Sequence, residues 1–119
     1  MKSIKESIIG RKGSKNIKQS LRNGDVVETR QGTYSIYIQD KDVFWSGLNI
    51  IRGKYTIVSN PLDGWDESLI ALNSPGEWDV VKIYHKPVNK TFPERITTTE
   101  LYEYLRWIRD NVKPIVINQ

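Results

Sequence analysis

The sequence predicts a mainly β (α+β) protein, a small antiparallel barrel or strongly bent sheet with a C-terminal α-helix and a basic N-terminal arm. Three observations predict this class. A β-hairpin pattern occupies residues 21–38, short strand patterns separated by glycines follow it, and a helix pattern with a capping signal begins near residue 97. A chain of 119 residues suffices for one domain with a modest core and is too short for two comfortable ones.

The hairpin is the clearest local pattern in the chain. Asn23-Gly24 supplies residues that tolerate positive φ just before a strand that starts at Val26, and Gln31-Gly32 then reverses the chain. In the return strand, alternate apolar side chains are expected to share one face: Tyr34, Ile36 and Ile38.

Further strand patterns follow at short spacing. Residues 43–45 form a short aromatic strand, residues 54–58 another, and residues 78–85 a third that is rich in β-branched and aromatic side chains. Residues 60–65 have strong turn chemistry. Residues 66–72 fit either a single helical turn or a short strand.

The strongest helix pattern begins at a capping box formed by Thr97 and Glu100, and it covers roughly residues 98–111. Pro114 ends it, and residues 115–117 could add an edge strand or simply pack; edge strands could also support self-association. The apolar stripe of the helix consists of Leu101, Tyr104 or Leu105, Ile108 and Val112.

These patterns divide the chain into three segments. Residues 1–20 are a basic flexible arm, with a short helix that Ser3 and Glu6 would cap. Residues 21–86 form the barrel. Residues 87–119 are a linker followed by the C-terminal helix, which is expected to pack on the barrel.

Positive charge is concentrated in the arm. The formal net charge of the chain is +4, yet residues 1–20 hold six basic side chains and one acidic one, so the body is close to neutral. Mobile cations suit phosphate contacts. The candidate nucleic-acid or targeting residues are Ile4, Ile8, Arg11, Lys12, Lys15 and Lys18.

Negative charge is concentrated in one loop region. Between residues 59 and 81 there are five acidic side chains and no Lys or Arg. Aromatic anchors dominate the energetics of protein interfaces, so tryptophans in such a region predict a face that binds a protein partner. The alternative is a loop that its charge keeps soluble. The candidate partner-binding residues are Trp65, Asp63, Asp66, Glu67 and Trp45.

No pattern indicates a reaction, a cofactor or a metal site. The chain has no Cys, which excludes disulfides, thiolate zinc sites and Cys nucleophiles. His85, the single histidine, fits a structural or solvated role, and no Ser-His-acid order can be proposed around it. Apolar runs are too short to span a membrane, and the N-terminus lacks the continuous apolar region of a secretion signal.

Residues 21–86 also resemble a known group of proteins. The run L-R-N-G-D-V-V-E-T-R-Q-G at 21–32, W-D-E-S-L at 65–69 and W-D-V-V-K-I-Y at 78–84 are similar to motifs of small SH3-like β-barrel proteins of tailed bacteriophages. The resemblance implies five or so strands in a tight barrel, with functions that are mostly unassigned. M-K-S-I-K-E-S-I-I at 1–9 loosely resembles short phage targeting leaders.

The resulting prediction is a non-enzymatic bacteriophage accessory protein that binds a protein partner. It would be a virion or assembly component, or an inhibitor of a host defence factor, located in the host cytoplasm or with the virion. The alternative is a small nucleic-acid-binding barrel that uses the basic arm.

Overall fold

The computed structural model describes residues 16–49, 54–73, 75–92 and 97–119. These residues contain six β-strands, one α-helix and two short 3₁₀ helices, Lys18–Ser20 and Leu62–Gly64. In chain order the longer elements are β1 (Val26–Thr29), β2 (Tyr34–Ile38), β3 (Val43–Asn49), β4 (Lys54–Pro61), β5 (Val80–Tyr84), α1 (Thr98–Asn111) and β6 (Ile115–Val116).

The six strands form a single antiparallel sheet in the order β4-β3-β2-β1-β5-β6. The predicted hairpin is its centre, with Val26 opposite Ile36. On the other side of β1, Val27 is opposite Ile83. The mainly β prediction with one C-terminal helix is therefore confirmed.

Among the described residues the sheet is open, so the structure does not confirm the predicted barrel. Among the described residues β4 forms one edge and β6 the opposite edge. The reason is visible in β1, where the successive residues Val26 and Val27 are both buried, one on each face of the sheet. Because a separate layer covers each face, the sheet buries its apolar side chains without closing on itself.

The turns of the hairpin use the glycines that the sequence indicated. Gly24 and Gly32 have φ values of +89° and +93°, a region that L-residues with a Cβ rarely adopt. The alternation along β2 is also as predicted. The three residues predicted to share one face, Tyr34, Ile36 and Ile38, belong to the cluster on the helix side of the sheet, and Tyr37 lies on the opposite face.

Helix α1 covers this first face. Its N-terminus has the predicted capping box, in which the Thr97 hydroxyl accepts the Glu100 N–H at 3.1 Å and the Glu100 carboxylate accepts the Thr97 N–H at 3.3 Å. The buried stripe of α1 includes both members of the pair left open above: Leu101, Tyr104, Leu105 and Ile108.

The loop 62–79 and the 3₁₀ helix Lys18–Ser20 lie on the second face. The core there combines side chains of the strands with side chains of these connections, namely Leu21, Val27, Tyr37, Phe44, Leu62, Leu69, Val80 and Ile83. Ile17, Trp65 and Ile117 pack against it.

Three local expectations can be compared with the structure. Residues 66–72 form neither the helical turn nor the strand; they make a turn closed by a single bridge between Trp65 and Ala71. The strand expected at 78–85 is shorter, since β5 begins at Val80. Residues 115–116 do form an edge strand, with Ile115 opposite Ile83.

In the part of the chain that the structure describes, no helix has the length and apolar character needed to cross a membrane.

Candidate functional site

The loop 62–79 is anchored in the sheet by two buried leucines. Leu62 and Leu69 both insert into the second core, and the Leu62 N–H donates to the Asp42 carbonyl at 3.0 Å. Leu69 has a φ of +62°, which is uncommon for a residue with a Cβ. The Val80 N–H donates to its carbonyl at 3.0 Å, so β5 holds the loop in this conformation.

Two carboxylates, one exposed and one buried, accept backbone N–H groups of the loop. Asp66 Oδ1 accepts the N–H groups of Ser68 and Ile70, each at 2.9 Å. Asp79, which is almost fully buried, accepts the Ala71 N–H at 2.9 Å and lies 3.5 Å from a guanidinium nitrogen of Arg30. These bonds satisfy backbone donors that would otherwise need water.

The C-terminal segment fastens the same loop to the sheet. The Asn118 side-chain amide donates to the carbonyls of Ser68 and Val80, each at 2.8 Å. The Asn118 carbonyl in turn accepts a guanidinium N–H of Arg30 at 2.7 Å. The loop is thus a pre-formed surface rather than a free connection.

A cleft of about 320 Å³ opens between the end of β4 and this loop. That volume is at the lower end of the range for ligand pockets and is enough for one or two side chains of a partner. The lining combines aromatic, amide and carboxylate groups: Asn60, Pro61, Asp63, Gly64, Trp65, Ala71, Asn73 and Trp78.

Two tryptophans supply the aromatic surface of the cleft. Trp65 is held edge-to-face against Phe44 at 4.9 Å between ring centroids, and its indole N–H donates to the Trp78 carbonyl at 2.9 Å. Trp78 is 40% exposed. Trp65 is therefore fixed by the core, while Trp78 offers indole surface to solvent.

The aromatic contacts continue from the cleft into the sheet. Tyr37 packs edge-on against Phe44 at 6.1 Å, and its hydroxyl donates to an Asp42 carboxylate oxygen at 3.3 Å. Burial raises the pKa of the Tyr37 phenol, and the negative charge of Asp42 adds to that rise. Tyr37 therefore remains a neutral donor that supports the turn beside Leu62.

The surroundings of the cleft carry negative charge. Asp63 lines the cleft, and Asp66, Glu67 and Glu77 are exposed on the same loop. Lys18 contacts this loop, since its ammonium donates to the Trp65 carbonyl at 2.8 Å.

The structure brings together only part of the predicted partner-binding set. Trp65 and Asp63 line the cleft, Asp66 is exposed but structural through its two backbone bonds, and Glu67 is exposed next to it. Trp45 lies elsewhere, packed against the cluster on the helix side of the sheet. Successive strand residues point to opposite faces, and Phe44 occupies the cleft side.

Of the candidate nucleic-acid or targeting residues in the arm, the structure describes Lys18 alone. Ile4, Ile8, Arg11, Lys12 and Lys15 lie outside the described residues. Besides its ammonium contact, Lys18 donates its backbone N–H to the Glu67 carbonyl at 3.0 Å, so the end of the arm meets the acidic loop.

The sequence reasoning missed Trp78 as a site residue, as well as the amides Asn60 and Asn73. The β-rich pattern of residues 78–85 predicts a strand that includes Trp78, whereas β5 starts two residues later. The Pro75-Gly76 pair just before it, with Gly76 at a φ of +106°, was the available signal for an exposed turn.

A second polar cluster lies at the start of the hairpin. The Asp25 carboxylate, fully buried, accepts the backbone N–H groups of Arg22 and Lys86 at 2.9 and 2.8 Å and lies 2.7 Å from His85 Nδ1. The predicted structural role of His85 agrees with this geometry. Among the described residues, no group of three or more His, Cys, Asp or Glu side chains could hold a metal ion.

Comparison of the chain with protein-family models, with curated proteins and with solved structures finds no match in any of the three. The cleft between β4 and the loop 62–79 is therefore interpreted from its own chemistry.

Proposed function

We propose that the protein binds an extended segment of a protein partner, which inserts an apolar or aromatic side chain between Trp65 and Trp78. The observation that carries this proposal is the cleft itself, with a fixed indole, an exposed indole and polar groups at its rim. Buried aromatic anchors surrounded by polar rim contacts are typical of the energetic centres of protein interfaces.

The position of the cleft at a sheet edge supports an extended ligand. Asn60 and Pro61 line the cleft and also belong to β4, which among the described residues pairs with β3 only. Val58, further along β4, is 47% exposed. A partner strand that adds to β4 would gain main-chain hydrogen bonds while one side chain enters the cleft. Pro61 lacks an N–H and would limit how far such pairing extends.

The charge around the cleft favours a basic partner segment. Asp63, Glu67 and Glu77 are exposed carboxylates on this loop, and complementary charge increases both the association rate and the specificity of an interface. The same carboxylates would repel a nucleic-acid backbone at the cleft. Nucleic-acid binding would therefore have to use the arm, most of which lies outside the described residues.

The biological setting of this binding is inferred from the sequence resemblance. The SH3-like phage proteins that residues 21–86 resemble imply five or so strands, and β1 to β5 lie within this segment. We therefore keep the phage accessory role, as a virion or assembly component or as an inhibitor of a host defence factor, in the host cytoplasm or with the virion. Binding without catalysis is sufficient for either role.

The test is selection of binding peptides from a random library on the immobilised full-length protein, followed by affinity measurements on variants. Enriched peptides should share an apolar or aromatic residue beside Lys or Arg. Trp78→Ala should weaken their binding by roughly 10-fold or more, the usual loss for an interface anchor.

Trp107→Ala is the matched control, because Trp107 is 37% exposed on α1 and so resembles Trp78 in exposure while lying on the other side of the sheet. It should leave the affinity unchanged. Trp78 is preferable to Trp65 or Asp66 as a test position, since those two also support the core and the loop. Absence of enriched peptides, or equal binding to Trp78→Ala, would contradict the proposal.

A further inference from the structure

We propose that in the free protein the cleft is occupied by the chain's own basic segment, residues 1–15, which competes with the partner. This inference rests on the proposed function of the cleft and adds its regulation. The competing segment acts within one molecule, so the partner must displace it in order to bind.

The first argument is the place where the basic segment joins the described chain. Asn16 and Ile17 are followed by Lys18, whose N–H donates to the Glu67 carbonyl at 3.0 Å and whose ammonium donates to the Trp65 carbonyl at 2.8 Å. Trp65 lines the cleft. Residues 1–15 are therefore attached next to the cleft, and a chain of this length can extend up to about 50 Å.

The second argument is charge complementarity. Residues 1–15 contain five basic side chains and one acidic one, whereas residues 59–81 contain five acidic side chains and no Lys or Arg. None of the ion pairs that the structure describes includes Asp63 in the cleft or the exposed Glu67 and Glu77. Such pairs are individually weak, and a cluster of opposite charges orients a tethered segment.

The third argument is that the segment carries the side chains that the cleft accepts. Ile4, Ile8 and Ile9 can supply an apolar anchor, and its lysines can stack on an indole. The protein already uses this second contact elsewhere, since the Lys90 ammonium lies 4.3 Å from the centroid of the Trp107 ring.

Because the segment is attached to the protein, even a weak interaction with the cleft is sufficient to occupy it. Attachment close to a site gives an effective concentration on the order of a millimolar, so a segment that binds with a Kd of about 1 mM as a free peptide would occupy about half of the clefts when attached. The expected penalty for a competing partner is then about twofold in apparent Kd.

The test compares the full-length protein with a full-length variant in which Lys2, Lys5, Arg11, Lys12 and Lys15 are replaced by Gln. The indole N–H signals of the four tryptophans are followed by NMR on isotope-labelled protein. The Trp65 and Trp78 signals should differ between the two proteins, while the Trp45 and Trp107 signals should coincide. The difference should shrink between about 20 mM and about 500 mM NaCl, because salt screens the charges.

A synthetic peptide of residues 1–15 added to the Gln variant should move the Trp65 and Trp78 signals towards their positions in the unmodified protein. A peptide with the same five Gln replacements should not. Coincident Trp78 signals in the two proteins would overturn the inference, as would a peptide effect confined to Trp107. A difference that grows with protein concentration would overturn it too, since it would indicate a second copy as the source of the segment.

Failure of this inference can be distinguished from failure of the proposed function. A library-selected peptide should bind the Gln variant about twofold more tightly than the unmodified protein. Equal affinities that both depend on Trp78 would remove the competing segment and leave the partner site. If no selected peptide depends on Trp78, the proposed partner site itself fails, whatever the indole signals show.

Discussion

At the scale of single residues, the start of the hairpin is the most tightly constrained place in the molecule. The Asp25 carboxylate is fully buried and accepts two backbone N–H groups, one of which belongs to Lys86. Immediately before it, the Gly24 carbonyl accepts the hydroxyl of Tyr104 from α1. One turn thus joins β1, the segment after β5 and the helix.

This crowding makes a sharp prediction for Gly24. A Cβ at that position would lie 2.9 Å from the Tyr104 hydroxyl and 3.0 Å from Lys86 Cδ, and the residue also has a φ of +89°. Gly24→Ala should lower the free energy of unfolding by about 2–4 kcal/mol, the sum of left-handed strain and overpacking. Urea denaturation at neutral pH measures this loss.

Gly32→Ala is the control that isolates the strain. Gly32 has nearly the same φ, +93°, but a Cβ there meets no atom within 4 Å. The expected loss is therefore only about 1–2 kcal/mol, the cost of left-handed backbone alone. Equal losses for the two variants would show that the contact with Tyr104 does not constrain the turn.

At the scale of elements, the helix could be predicted from local chemistry and the loop could not. The capping box, the apolar stripe and the proline stop of α1 are all encoded within about twenty residues, and α1 covers the predicted residues. The loop 62–79 depends on partners far along the chain, such as Asn118 on the Ser68 carbonyl and Arg30 on Asp79. No local pattern indicates such contacts, so the choice between helical turn and strand at 66–72 had no sound basis.

The candidate site could likewise be predicted only in part from the sequence. Asp63 and Trp65 could be found because acidic and aromatic residues are adjacent in sequence. Trp78 could not, because its exposure depends on the exact start of β5, and strand boundaries are poorly defined by composition. Trp45 was grouped with Trp65 although the alternation along β3 places it on the opposite face from Phe44.

The capping box of α1 provides a test at this scale. Thr97→Ala removes the acceptor for the Glu100 N–H and should lower the free energy of unfolding by about 1 kcal/mol. Thr99→Ala, at an exposed position inside the helix, should be neutral or slightly stabilising because Ala has the higher helix propensity. Thermal denaturation of both variants measures these changes. If Thr99→Ala lowered the free energy of unfolding as much as Thr97→Ala, the cap would have no specific role.

At the scale of the whole molecule, the two-sided core explains why a barrel was expected and an open sheet was found. Short strands with glycine turns are common to both architectures, and the pattern of β1 decides between them. Val26 and Val27 are buried on opposite faces, the first under α1 and the second under the loop 62–79. The sequence pattern does not say which distant segment covers which face, so closure could not be judged from it.

The two-sided core also buries phenols, which makes stability dependent on alkaline pH. Burial raises the pKa of Tyr104, and the charge of Asp25 adds to the rise. Burial likewise raises the pKa of Tyr84, whose hydroxyl donates to Glu28 at 2.9 Å. Both phenols therefore hold their protons more tightly in the folded protein than in the unfolded chain, where their pKa is about 10.

The sign of the effect follows from proton linkage. A folded-state pKa above the unfolded value gives a stabilising contribution that is complete below about pH 10 and is lost as the pH rises through the folded-state pKa. The urea midpoint of the protein should thus fall steeply above about pH 10.

Tyr84→Phe removes one of the two buried phenol groups, so the urea midpoint of this variant should fall less steeply over that range. At neutral pH its free energy of unfolding should be about 1 kcal/mol lower, because the hydrogen bond to Glu28 is lost. Urea denaturation at a series of pH values from about 8 to 11.5 measures both slopes, and lysine deprotonation contributes to each of them alike. Identical slopes for the two proteins would mean that Tyr84 ionises equally well in the folded and unfolded states, against the burial that the structure describes.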